Sequence, residues 1–188
     1  TAIALGYESR AQAYHGIAIG YEAVTSGERG IAFGNHAEAG KSYDLAIGFS
    51  SHATGERSIA IGTSSDASGY RSIAFGNSSD ADQSYDLAIG FNAHAHGQES
   101  LALGTSTDAG GNMAIAIGHE SKAKEAHGIA LGYSADSSAE CGIAVGNNSQ
   151  AGGYRSVALG NMAITVHSYD IAVGFNAKAT SEEAIVLG

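Results

Sequence analysis

The chain has 188 residues and a formal net charge of −10, from 9 basic and 19 acidic residues. An excess of carboxylates repels phosphate groups, so this charge argues against nucleic acid and anionic membrane surfaces as partners. Aromatic residues make up only 7% of the chain, and alanine supplies much of the 44% that is hydrophobic, which excludes a bulky globular core.

A short element, Ile3-Ala4-Leu5-Gly6, opens the chain and returns every fourteen residues as far as Gly188, without insertion or deletion. Each copy reads aliphatic, alanine, hydrophobic, glycine, except that Val186 replaces the alanine of the last copy. So strict a period predicts equal coils stacked on one another, with each repeat position forming a column. It leaves no room for a linker and predicts one repeat-array domain, residues 1–188. Because Thr1 begins in mid-repeat, we expect this domain to be part of a longer chain.

Each fourteen-residue coil is predicted to contain two short strands, because the apolar residues alternate with a period of two. In the coil that ends at Gly62, Ile59 and Ile61 share one face and Ala60 points to the other. We predict that the large aliphatic column faces the interior, opposite a small column that contains Ala53 and Ala67. Successive coils would then pair in parallel as a thin, all-β roll.

Glycines are predicted to form the corners between strands, because a tight turn commonly needs a positive φ that glycine adopts without strain. The repeat glycine therefore marks the structural turns, and the predicted positions are Gly20, Gly34, Gly48, Gly62, Gly76, Gly90 and Gly104.

The alanine between the two aliphatic residues is predicted to face away from the coil interior, where water would tolerate almost any polar residue. A smooth alanine column beside repeated glycine suits the close approach of a second backbone, so we predict self-association through it. The predicted packing residues are Ala18, Ala32, Ala46, Ala60, Ala74, Ala88 and Ala102. The alternative is that alanine is merely tolerated on a solvated strand.

The segments 58–62 (SIAIG) and 72–81 (SIAFGNSSDA) resemble the head repeats of trimeric autotransporter adhesins of the YadA-like type. The resemblance covers the whole chain, which departs from the family repeat at Asp44, Asp86 and Asp170. It implies a left-handed parallel β-roll, three chains side by side as a homotrimer, and display on the bacterial surface at the end of a coiled-coil stalk.

A longer period of forty-two residues relates Tyr43-Asp44 to Tyr85-Asp86, and twice that interval leads on to Tyr169-Asp170. Duplication of a three-coil block explains this pattern without a ligand. The functional alternative is a series of aromatic anchors, since tyrosine is favoured at contact sites. The candidate ligand contacts are Tyr43, Phe49, Tyr85, Phe91, Tyr169 and Phe175.

Metal and cofactor sites are not predicted. His94-Ala95-His96 offers the best candidate because alternate strand residues share a face, but a tight site needs a third ligand. The only cysteine, Cys141, is interpreted as a surface thiol at a corner. No serine, histidine and acid set recurs in a way that would assemble a pocket, so the chain is not expected to be an enzyme.

The leading hypothesis is a homotrimeric adhesin head at the cell surface, on the extracellular face of the outer membrane. Its partners would be copies of itself and a host extracellular-matrix or cell-surface component, without nucleic acid and without membrane insertion of this segment. Two alternatives remain open: a structural spacer, for example in a phage or viral tail fibre, and an ice-binding solenoid. The second is disfavoured because its threonines are scattered over several columns.

Overall fold

The computed structural model describes all residues from Thr1 to Gly188 and consists of strands and corners. It contains no helix of a length and hydropathy suited to crossing a membrane. The contacts divide the chain into two compact units, Thr1–Ala93 and His94–Gly188, and each unit contributes strands to two sheets. The single-domain organisation therefore stays a prediction.

The first unit contains thirteen strands, of which the odd-numbered ones form sheet A and the even-numbered ones sheet B. In chain order they are β1 (Ile3–Leu5), β2 (Arg10–Ala11), β3 (Ile17–Ile19), β4 (Val24–Thr25), β5 (Ile31–Phe33), β6 (Glu38–Ala39), β7 (Leu45–Ile47), β8 (His52–Ala53), β9 (Ile59–Ile61), β10 (Asp66–Ala67), β11 (Ile73–Phe75), β12 (Asp80–Ala81) and β13 (Leu87–Ile89).

The second unit contains fourteen strands and divides in the same way, with the odd-numbered strands in its sheet A. They are β14 (His94–Ala95), β15 (Leu101–Thr105), β16 (Asp108–Ala109), β17 (Ile115–His119), β18 (Lys122–Ala123), β19 (Ile129–Leu131), β20 (Asp136–Ser137), β21 (Ile143–Val145), β22 (Gln150–Ala151), β23 (Val157–Leu159), β24 (Ile164–Thr165), β25 (Ile171–Val173), β26 (Lys178–Ala179) and β27 (Ile185–Leu187).

Strand pairing within each unit is parallel and joins residues that are fourteen apart in the chain. In the first unit Ala60 pairs with Ala74 in sheet A, and Ala53 pairs with Ala67 in sheet B. One coil of the chain therefore supplies one strand to each sheet. The predicted all-β parallel β-roll of fourteen-residue coils is confirmed.

The interior of the roll is lined by small side chains, and this corrects the predicted orientation of sheet A. Ala60 and its equivalents are fully buried, whereas Ile59 and Ile61 are only half-buried. A period of two defines two faces of a strand but does not say which one is inside. The usual preference of large aliphatic residues for the core suggested the wrong face here.

Burial of the alanine column also overturns its predicted role in self-association. Each of these methyl groups is already enclosed by the chain's own two sheets and has no surface left to offer a second chain. The residues concerned are Ala18, Ala32, Ala46, Ala60, Ala74, Ala88 and Ala102, all with 0% exposure.

Buried serines complete the core between the two sheets, and most of them form local hydrogen bonds, although the Ser121 hydroxyl has no partner. The hydroxyl of Ser72 donates to the carbonyl oxygen of Gly69 at 2.9 Å, and that of Ser79 donates to Gly76 at 3.2 Å. A buried hydroxyl costs stability unless it is hydrogen-bonded, so these local bonds make a polar core possible.

Both corners of every coil place one residue other than glycine in the left-handed region, with φ between 50° and 65° at every seventh position from Glu8 to Glu183. The predicted turn glycines directly follow the three apolar residues of each sheet A strand, Gly104 within β15, and have φ between 135° and 145°. A Cβ atom at Gly104 would lie 1.8 Å from the carbonyl oxygen of Gly118 in the next coil. Positive φ and close coil stacking thus both require glycine at this position.

Candidate functional site

The outward face of sheet A carries most of the large aliphatic side chains of the chain, and we call it the aliphatic face. None of these residues is buried, and Phe33 and Phe75 are about half exposed. Soluble monomers rarely expose contiguous apolar surface beyond a few hundred Å². The continuous row of aliphatic side chains in each unit is therefore a candidate interface. The sequence alone predicts the interface on the other face of the same strands, at the alanine column.

The candidate aromatic contacts lie at the two corners that flank the strands of sheet A. The tyrosines precede the strand, adopt φ of 64° to 65° and are 46% to 49% exposed. The phenylalanines follow the strand and are 54% to 70% exposed. All six side chains are thus available to solvent at the positions Tyr43, Tyr85, Tyr169, Phe49, Phe91 and Phe175.

Tyr43 lies between two arginines from the coils on either side of its own. The guanidinium carbons of Arg29 and Arg57 are 5.4 Å and 5.6 Å from the centre of its ring. Arg29 also donates a hydrogen bond to the Tyr43 hydroxyl through Nη1. A cation on each side orients the ring, which makes Tyr43 a fixed feature of the corner.

The other two tyrosines belong to matching groups, one in each unit, that we call the Tyr-Arg-Tyr clusters. In both groups two tyrosine rings meet edge to face, with centres 5.6 Å and 5.8 Å apart. An arginine stacks at 5.1 Å on the first tyrosine of each group. The clusters comprise Tyr70, Arg71 and Tyr85 in the first unit and Tyr154, Arg155 and Tyr169 in the second.

A further aromatic ladder at the opposite corner of the first unit was not recognised in the sequence. Tyr7 stacks on Tyr21 with ring centres 5.3 Å apart, and Tyr21 meets His36 edge to face, also at 5.3 Å. His36 then contacts Phe49 at 5.9 Å. The fourteen-residue register aligns Tyr7 with Tyr21, but His36 stands one position later in its coil, which conceals the continuity.

The sequence model of the YadA head domain repeat matches nearly the whole chain, at residues 1–23, 11–37, 39–65, 67–93, 81–107, 95–121, 109–135, 142–161 and 168–188. The chain belongs to the YadA head repeat family. This family consists of adhesin heads and is non-enzymatic.

Among solved structures, the YadA-like head is similar to the crystal structure of the collagen-binding domain of the Yersinia adhesin YadA. The two sequences are 25% identical over 87% of this chain and 68% of that one, with a TM-score of 0.37. A comparison with curated proteins found no match.

Buried aspartates explain the forty-two-residue period of the YadA-like head in structural terms. Asp44 accepts hydrogen bonds from the backbone N–H groups of Lys41 at 2.7 Å and Ser58 at 2.9 Å. Where the equivalent of Lys41 is glycine, as at Gly55, its N–H bonds instead to a carbonyl of the next coil, that of Ala67. At Lys41, which carries a side chain, the aspartate thus accepts the hydrogen bond of the corner N–H group. Asp86 and Asp170 accept hydrogen bonds from the N–H groups of Gln83 and His167 in the same way.

Burial and hydrogen bonding shift the pKa values of these carboxyl groups in opposite directions. Burial raises the pKa of Asp44 above its ordinary value, although the Ser58 and Lys41 donors lower it. Burial also raises the pKa of Asp170, but the N–H groups of His167, Ala184 and Val166 together bring it below the ordinary value. Three backbone donors therefore hold Asp170 in its charged form.

Replacing Asp170 by asparagine is expected to destabilise the second unit by about 1–3 kcal/mol, because one acceptor oxygen becomes an amide that faces backbone N–H groups. Since the pKa of Asp170 is lowered on folding, its contribution is present above the unfolded value, about 3.9, and is lost as the pH falls through the folded value. Urea unfolding at a series of pH values should show a smaller acid-dependent loss for Asp170→Asn than for the unchanged chain. Equal acid dependence would contradict this role.

The two histidines singled out as a possible metal pair meet edge to face, with ring centres 5.3 Å apart. His94 lies in β14, and His96 directly follows that strand. His94 and His96 are not part of a group of three converging ligand side chains.

Proposed function

We propose that the chain is the adhesive head of a surface-displayed trimeric adhesin, which attaches bacteria to host cells, extracellular matrix or other cells by multivalent binding. The observation that carries the proposal is the match of YadA head repeats along nearly the whole chain. Exposed aromatic groups at regular corner positions support it, since Tyr and Arg dominate the energetics of many protein contacts. The family also supports a place on the extracellular face of the outer membrane.

The aliphatic face is our proposed surface for self-association into a homotrimer. Three copies arranged around an axis would bury the exposed isoleucine, leucine and phenylalanine side chains of sheet A against one another. The corners with the aromatic groups flank this sheet and would remain at the sides of the assembly. Each aromatic cluster would then occur three times, which raises the effective concentration of the second and third contacts.

Binding of the assembled chain to immobilised matrix proteins and to cultured cells tests the adhesive function directly. The Yersinia domain is described as collagen-binding, so collagen is the first matrix protein to test. A saturable signal is expected on at least one of these surfaces. If the assembled chain binds neither matrix proteins nor cells, the spacer interpretation replaces this proposal.

The aromatic corner positions are expected to carry the contact. Combined replacement of Tyr85, Phe91, Tyr169 and Phe175 by alanine should weaken binding at least tenfold, which corresponds to about 1.4 kcal/mol. Assembly and thermal stability should change little, because all four side chains are exposed. The control is Gln150→Ala, an exposed side chain that faces outward from sheet B, away from both of these corner positions. Unchanged binding, or loss of the fold, would show that the four residues are not the contact.

A further inference from the structure

One corner of the second unit aligns two metal-binding side chains in adjacent coils. His127 and Cys141 occupy the same repeat position, and both have the left-handed backbone, with φ of 59° and 57°. Parallel pairing of Ile129 with Ile143 fixes the register of their coils, and the backbone N–H of Cys141 donates to Ala126 at 3.0 Å. Equal backbone conformations one strand spacing apart project the two side chains side by side.

Glu140, which precedes the cysteine, completes a group of three ligands. The donor atoms of His127, Glu140 and Cys141 all lie within 4.8 Å of one another. His127 and Glu140 are exposed and Cys141 is half-buried, so an ion can reach all three side chains. The backbone atoms that carry them are held by coil-to-coil hydrogen bonds, and only rotation of the side chains is needed for convergence.

We propose that His127, Glu140 and Cys141 form a binding site for a zinc-like divalent transition-metal ion. Thiolate, imidazole and carboxylate are the three ligand types that zinc uses, at distances of about 2.0–2.3 Å, and a water molecule supplies the fourth position. The sulfur ligand selects against calcium and magnesium, which prefer oxygen atoms. On binding, the S–H bond of Cys141 breaks, a metal–sulfur bond forms, and the proton passes to solvent.

The site goes beyond adhesion because its effect would be on the roll itself. The ion would bond to His127 in one coil and to Glu140 and Cys141 in the next, and so join the two coils at their corner. An ion that binds the folded chain and not the unfolded one stabilises the fold. Zinc is therefore expected to raise the unfolding temperature of the chain.

Titration with Co²⁺, a spectroscopic substitute for zinc, tests the site on the full 188-residue chain. Cys141 is the only cysteine, so a sulfur-to-cobalt charge-transfer band must come from this residue. The band is expected at one ion per chain, should disappear when zinc is added, and should be insensitive to calcium. Cys141→Ser should abolish it. His127→Ala and Glu140→Gln should each weaken binding at least about tenfold, the cost of losing even an outer-shell partner.

The control variant carries His94→Ala and His96→Ala, which removes the other histidine pair and should leave the band unchanged. Far-ultraviolet circular dichroism checks that each variant is folded. A second readout needs no variant: zinc should slow alkylation of Cys141 in the unchanged chain, and a chelator should restore the rate. Absence of the band, or equal affinity in His127→Ala, would overturn the proposal, and so would alkylation at the same rate with and without zinc.

Discussion

Replacing Gly104 by alanine is expected to destabilise the second unit far more than the same replacement at Gly110. At Gly104 the new Cβ would lie 1.8 Å from the carbonyl oxygen of Gly118, and the backbone has φ of +135°. Backbone atoms of the next coil cannot move aside without breaking the sheet pairing of Gly104 with Gly118. Strained φ alone costs on the order of 1–3 kcal/mol, so with the clash we expect a loss of about 3 kcal/mol or more.

Gly110 provides the matched control because it stands in the following corner region of the same coil and is exposed. An added Cβ there would be in ordinary contact, 3.5 Å from an oxygen of Asp108 and 3.6 Å from the carbonyl of Lys124. Gly110→Ala is expected to leave stability unchanged or to raise it by about 0.4–1 kcal/mol, through loss of freedom in the unfolded chain. Urea and thermal unfolding followed by circular dichroism measure both variants. Similar stabilities would mean that neighbouring coils separate more easily than the structure indicates.

Charges on the aliphatic face are expected to abolish self-association. Ile115 and Ile117 point outward from the same strand of sheet A, and both are half-buried in the single chain. Replacing both by glutamate would require an interface to bury carboxylates without partners, which costs several kcal/mol for each ion. Sedimentation equilibrium should show three times the 18.9 kDa mass of one chain before the change and a single chain after it.

The matched control places the same two charges on the other sheet, as Gln150→Glu and Ile164→Glu. These residues pair with each other and face outward from sheet B, away from the proposed interface. This variant should assemble as the unchanged chain does. If the unchanged chain sediments as a single species of 18.9 kDa, the proposed homotrimer is wrong. Equal loss of assembly in both variants would show that the added charge prevents assembly wherever it is placed, and not only on the aliphatic face.

Most of the fold could be predicted from the sequence because one period controls all of it. Glycine at intervals of fourteen residues sets the length of the coil, the in-register pairing and the position of the corners. The orientation of sheet A could not be predicted, because both faces of each strand are apolar. Ala60 and Ile59 are each compatible with a core, and only the narrow space between the two sheets selects the alanine.

The candidate sites were predicted less well, because they depend on side chains that meet across coils. The exposed positions of Tyr85 and Tyr169 follow the period, but their ring contacts with Tyr70 and Tyr154 join two different repeat positions. The interpretation of Cys141 as a surface thiol considered its own column alone. Its neighbour Glu140 turns towards it only through the geometry of the corner.

The small size of the buried side chains has a consequence for how such a head can diversify. Threonine is the largest residue that is fully enclosed, at Thr25, Thr107 and Thr165, and most other enclosed positions hold alanine or serine. Side chains of this size have few rotamers to lose, so ordering them costs little entropy. Larger and more varied residues project outwards, where exchanging one for another leaves the packing of the enclosed side chains unchanged. Natural variation can therefore change the binding properties of the exterior while the enclosed scaffold stays the same.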